Sequence, residues 1–172
     1  MRRFSLLVLA ITFLLPAAAA AQGNPDTPTL GFSVGYWGPF SSEWNGGFTA
    51  RFNAELPYQG PLGFRFTAGV ADLSRGPSHS RRSADLLSVT AGAIYQLPTH
   101  GMNTFVHGGV GVARITGGGS STELGVCAGA GVVLPLALKG ASLVPELTAH
   151  AVTGKGPGMS ITLTMGMRFD VR

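Results

Sequence analysis

The final stretch of the chain alternates strictly. Met159, Ile161, Leu163, Met165, Met167, Phe169 and Val171 are apolar, and the residues between them (Ser160, Thr162, Thr164, Gly166, Arg168, Asp170) are polar or glycine. A helix would mix the two sets on every face, whereas a period of two marks a strand whose faces meet different surroundings. The same rhythm recurs over 29–38, 47–58, 62–72, 85–97, 102–114, 122–136 and 143–153, so the pattern predicts eight strands. Each is long enough to cross a bilayer at a tilt. Phe105, Leu86, Ile94 and Val133 fall on the polar face instead, as does Trp37 at a strand end. A narrow lumen can absorb a few such groups.

The connections alternate as well. Those at 58–62, 98–102 and 136–142 are tight and carry Pro or Gly, while 39–46, 74–84, 117–121 and 154–158 are mostly longer or richer in Gly and Ser. Short turns on one rim and long loops on the other describe an up-and-down outer-membrane barrel, whose short turns lie in the periplasm. An even strand number leaves both chain ends on that rim.

A soluble periplasmic β-barrel holding an apolar ligand would alternate in the same way, with its polar face in water. The composition of that face separates the two. It is mostly Gly, Thr and Ser, with scattered Arg51, Glu55, Arg65, Glu123, Glu146 and Arg168, and lacks the dense Lys, Glu, Gln and Asn of a solvated surface. Small residues suit the crowded interior of an eight-stranded barrel, which is barely wide enough for side chains and so is not an open pore. In lipid the backbone must be fully hydrogen-bonded and no sheet edge can stay open, which forces closure. Tyr58, Phe64, Tyr95 and Phe169 have outward parity near the short-turn rim, where an interfacial girdle would sit.

The first residues bear on the compartment. Arg2 and Arg3 precede an apolar run from 4 to 15, and Ala19-Ala20-Ala21 forms a small-x-small cleavage pattern before Gln22. The expectation is a secretory signal peptide over 1–21 and a single barrel domain over 22–172. Of the twelve Lys and Arg, ten remain once Arg2 and Arg3 are removed, against eight Asp and Glu. That near balance gives no reason to expect a nucleic-acid partner. Charged residues make up 12% of the chain, about half the usual share of a soluble domain. Cys127 is the only cysteine, so no internal disulfide is available.

With these features the chain resembles the small outer-membrane β-barrel family that includes OmpX and the transmembrane domain of OmpA. The likeness covers the whole mature chain as a pattern. It is sharpest in the Gly-rich hairpin 106–136, in Glu146 of the penultimate strand, and in the closing Gly166-Met167-Arg168-Phe169. The end of the chain, Thr164-Met165-Gly166-Met167-Arg168-Phe169-Asp170-Val171, matches the family's assembly signal, although Arg172 replaces the usual aromatic last residue. The resemblance implies recognition by the barrel-assembly machinery and residence among outer-membrane lipid and lipopolysaccharide. It also implies a non-enzymatic structural or surface-interaction role, as a monomer.

Candidate chemistry is sparse. Glu146 and Arg168 share lumen parity on adjacent strands and are expected to form a buried ion pair, with Arg51, Arg65 and Glu123 as further members of the same network. Arg75, Arg81 and Arg82 fall in an outer loop, and the planar guanidinium suits bidentate contact with lipopolysaccharide phosphates. A solvated basic loop is the plainer reading of the same residues. His150-Ala151-Val152-Thr153 followed by Gly156-Pro157-Gly158 loosely resembles the end of the lipid A deacylases, which are also eight-stranded barrels. Their nucleophilic Ser two residues after the His is here Val152, and Thr153 has the opposite parity. A lipid A-modifying enzyme is therefore the disfavoured alternative. Gly117-Gly118-Gly119 lacks a following Lys-Ser/Thr, and the four histidines show no ligand spacing, so no cofactor or metal is expected.

Overall fold

A computed structural model of the chain describes residues 27–41, 44–75, 83–99, 102–116, 120–154 and 157–171. The expected signal peptide lies outside the described residues. The elements are β1 (Thr29–Pro39), β2 (Trp44–Asn45), β3 (Gly47–Gln59), β4 (Leu62–Arg75), β5 (Ser83–Thr99), β6 (Met102–Thr116), β7 (Ser120–Pro135), β8 (Ala141–Val152) and β9 (Met159–Asp170). Apart from the two-residue β2, these are the eight strands that the alternation predicts. Each pairs antiparallel with its neighbours in sequence, and β1 pairs with β9 from Thr29↔Asp170 to Pro39↔Ser160. β5 pairs with β4 as well as with β6, so the eight long strands close on themselves as an up-and-down barrel with no open edge among them. The Val171 amide donates to the Pro28 carbonyl at 2.7 Å and ties the two ends of the domain together beyond that seam.

The alternation sorts side chains as the pattern requires. Along β9, Ser160, Thr162 and Thr164 are buried while Leu163 and Met165 are exposed on the outer surface. Along β7, Leu124 and Val126 face outward and Cys127 inward, at intermediate exposure. The outward-facing residues of the strands are thus mainly apolar, the reverse of a soluble barrel. No described helix is long and apolar enough to cross a membrane; a barrel crosses with strands. Near the short-turn rim Tyr58 packs edge-on against Phe64 at 5.5 Å, and Phe169 stacks on Phe32 at 6.4 Å.

Local chemistry explains the irregularities. Gly60 and Gly140 take positive φ in two of the short turns, where a Cβ would be strained. The β7–β8 ladder pairs Gly131↔Glu146 and Leu134↔Leu143 with nothing paired between, where Pro145 has no N–H to donate. β4 runs past the expected end at residue 72 because Leu73 turns inward and is completely buried. Phe105, Leu86, Ile94 and Trp37, which break the alternation rule, are each at most 6% exposed. They fill the lumen.

Candidate functional site

The barrel interior holds the densest chemistry. β3 carries Arg51 and Glu55 inward, β4 carries Arg65 directly opposite Glu55, and β8 carries Glu146, Thr148 and His150 in alternate positions. β6 adds His107 and β9 adds Arg168. Inward parity brings all of them into one narrow space, and all but His107, His150 and Arg168 belong to the buried class.

Glu146 is the hub. Its Oε2 accepts from Arg65 Nη2 at 2.5 Å, and its Oε1 lies 3.5 Å from Arg51 Nη1 and 3.4 Å from His107 Nε2. Thr148 Oγ1 donates to the same Oε1 at 2.9 Å and accepts from Arg51 Nη1 at 3.3 Å. The other Arg51 nitrogen, Nη2, meets His150 Nε2 at 2.5 Å. Since β4 and β8 are four places apart around an eight-stranded ring, the Arg65–Glu146 bond spans its diameter. The Arg65 guanidinium also lies over the Phe105 ring, 5.4 Å from its centroid, which explains why an aromatic sits on the polar face. Arg65 Nε and Nη1 have no hydrogen-bond partner among the described residues.

A second carboxylate continues the chain of charges toward the short-turn rim. Glu55 faces Arg65 Nε at 3.8 Å and Arg168 Nη1 at 3.3 Å, and accepts from Thr29 Oγ1 at 3.1 Å. Arg168, Glu55, Arg65, Glu146 and Arg51 therefore alternate in sign along a continuous path across the lumen. Such a path favours one strand register, because a slip at either end would strip Arg51 or Arg168 of its carboxylate.

The expected Glu146–Arg168 pair is not made. In the β8–β9 register Glu146 stands opposite Thr164, while Arg168 stands opposite Ser142. Four residues of offset correspond to about 13 Å along a strand, and each charge finds a nearer partner across the barrel. Arg51 and Arg65 do join Glu146. Glu123 joins none of them: it sits near the long-loop end of β7 opposite Ala113, with its carboxylate against Gly154, and makes no ion pair among the described residues. Glu55 and His107, which the alternation puts on the inner face, are members of the network that the sequence did not single out as ion-pair partners. Both have inward parity, and Glu55 lies opposite Arg65 once the 58–62 hairpin is paired.

The remaining candidates are placed as follows. Arg81 and Arg82 lie outside the described residues, and Arg75 is placed only as the last residue of β4, opposite Trp44. His150 points into the lumen toward Arg51, and Val152 packs against an apolar cluster. Ser160, the register partner of His150, is fully buried, and its Oγ makes no hydrogen bond among the described residues, to His150 or any other. Among the described residues no three His, Cys, Asp or Glu side chains are grouped to hold a metal ion.

No protein-family model matches the chain. No curated protein matches it either. Solved structures do. The crystal structure of Neisserial surface protein A aligns with a TM-score of 0.61 at 17% identity, covering 84% of this chain and 97% of that one. The Yersinia pestis outer membrane protein Ail, determined in a phospholipid bilayer nanodisc, aligns at 0.53 with 15% identity over 82% and 99% of the two chains. Ail in complex with the heparin analogue sucrose octasulfate aligns at 0.50 with 15% identity over 83% and 99%. The fold is that of the small eight-stranded outer-membrane β-barrels, as the sequence resemblance implied.

Proposed function

We propose that the chain is a non-enzymatic barrel of the bacterial outer membrane that acts through its outer loops, as a structural element of the envelope and a contact surface for anionic glycolipid. The observation that carries this reading is the ion-pair path across the lumen. A barrel whose interior is spanned by side chains at hydrogen-bonding distance has no clear passage for solutes, which leaves its two outer surfaces to act. The apolar band meets lipid. The long-loop rim meets whatever lies outside, and its basic segment at 74–84 contributes Arg75, Arg81 and Arg82.

In this reading the mature chain is exported by its signal peptide, inserted by the barrel-assembly machinery through the closing strand, and works as a monomer with no cofactor. Lipopolysaccharide phosphates are the favoured partner, because guanidinium groups bind them in pairs of parallel hydrogen bonds. The Ail structure with sucrose octasulfate is a case in which a barrel of this fold is seen with a polyanionic sugar. The test is co-purification of lipopolysaccharide with the refolded protein. Replacing Arg75, Arg81 and Arg82 together by alanine is expected to weaken that association strongly, most clearly at low salt, where surface charges are least screened. Unchanged association in the triple variant would remove lipopolysaccharide contact from the role.

A further inference from the structure

The lumen is divided along its length. At the long-loop end Trp37, Trp44, Leu73, Leu86 and Ile115 form one buried cluster with Ala71, Ala84 and Ala113. Leu73 is 0% exposed and Trp37 only 2%. The pieces come from successive strands in register: Leu73 stands opposite Ala84, Ala71 opposite Leu86, and Leu86 opposite Ile115. Trp37 closes the group from β1. Trp44 comes from outside the eight-strand ring, because β2 pairs with the end of β4 through Trp44↔Arg75 and Asn45↔Ser74 and so folds the first loop back against the mouth. Its side chain is only 6% exposed although it belongs to a connecting segment.

Beneath this cluster the character of the lumen changes. A small cavity shares Trp37, Ala71, Leu86 and Ala113 with the cluster and reaches Arg51 and His150 of the charged interior. Cys127, the register partner of His150, lies four residues below Glu123 along β7, or about 13 Å. An apolar constriction excludes water and ions because it offers them no hydrogen bonds, whereas a polar cavity of sufficient size holds water.

We infer that Trp44 and the Leu73-centred cluster form a dry seal that closes the barrel lumen from the outside, above the charged interior that holds Arg51 and His150. The ion-pair path further down fixes the strands, while the outer barrier is the apolar seal. The inference rests on the membrane reading only for which end faces outward.

Cys127, which faces inward beside His150 below the cluster, serves as the reporter. Intact cells displaying the protein are treated with a small, membrane-impermeant methanethiosulfonate, and modification of Cys127 is followed by mass spectrometry. The wild-type thiol is expected to react slowly. Trp44→Ala and the double variant Trp44→Ala/Leu73→Ala are expected to react on the order of tenfold faster or more, as a loss of ~1.4 kcal/mol from an access barrier gives. Rapid modification of the wild type, or no acceleration in either variant, would overturn the seal. So would acceleration in Glu146→Gln without acceleration in the Trp44 variants, since it would move the barrier to the ion-pair path. A heat-dependent gel shift of the same outer-membrane samples reports separately on folding and location, so a failed seal and a failed membrane reading give different results.

Discussion

Replacing Glu146 by alanine is expected to destabilise the barrel by roughly 3–5 kcal/mol, the cost of leaving buried charges without their partner. Glu146 holds two guanidinium groups at once, Arg65 at 2.5 Å and Arg51 at 3.5 Å, and all three residues are at most 9% exposed. Its removal leaves Arg51 facing Thr148 and His150, and Arg65 with the Phe105 ring and a distant carboxylate, Glu55 at 3.8 Å. Urea unfolding of the barrel refolded into lipid vesicles measures the effect. The matched comparison is Glu123→Ala, which removes a carboxylate that makes no ion pair among the described residues and should shift the transition little. If the two variants unfolded alike, the hub role of Glu146 would be wrong.

The second large effect concerns backbone approach. Gly111 faces inward on β6, and a Cβ there would lie 2.7 Å from the Thr90 Cα and closer still to the Val89 carbonyl oxygen. Gly92 is in the same position against Gly108 and Gly109. In both cases the obstacle is main chain, which cannot rotate aside as a side chain can. Overpacking a core typically costs about 1–3 kcal/mol, and a clash with the strand ladder itself should exceed that range. Gly111→Val is therefore expected to abolish or nearly abolish recovery of the folded barrel on refolding. Ala128→Val, the same kind of enlargement on the exposed outer face of β7, should refold at the wild-type yield. Equal yields for the two would show that the lumen is roomier than the register implies.

These expectations show where the sequence is informative. Parity alone placed Arg51, Arg65, Glu146 and Arg168 in one interior, because a strand offers a side chain only two directions. It could not set their heights. Pairing Glu146 with Arg168 requires the stagger between β8 and β9, which depends on turn geometry at both ends and on closure of the whole ring. The offset of four residues separates that pair and sends Arg168 to Glu55 instead. The residues that break the alternation were legible as exceptions and not as a feature. Leu86 and Trp37 become a single apolar cluster only when β1, β4, β5 and β6 curl round to face one another, and Trp44 joins it through a loop contact that no periodicity encodes. Phe105 gains its reason only from Arg65 above its ring.

The most direct test of the central claim is gel migration of the outer-membrane fraction in SDS, with and without boiling. A closed barrel with every strand paired and its apolar face outward should resist SDS when unheated and change mobility on boiling. Recovery of the protein in the soluble periplasm, with the same mobility before and after heating, would contradict the account.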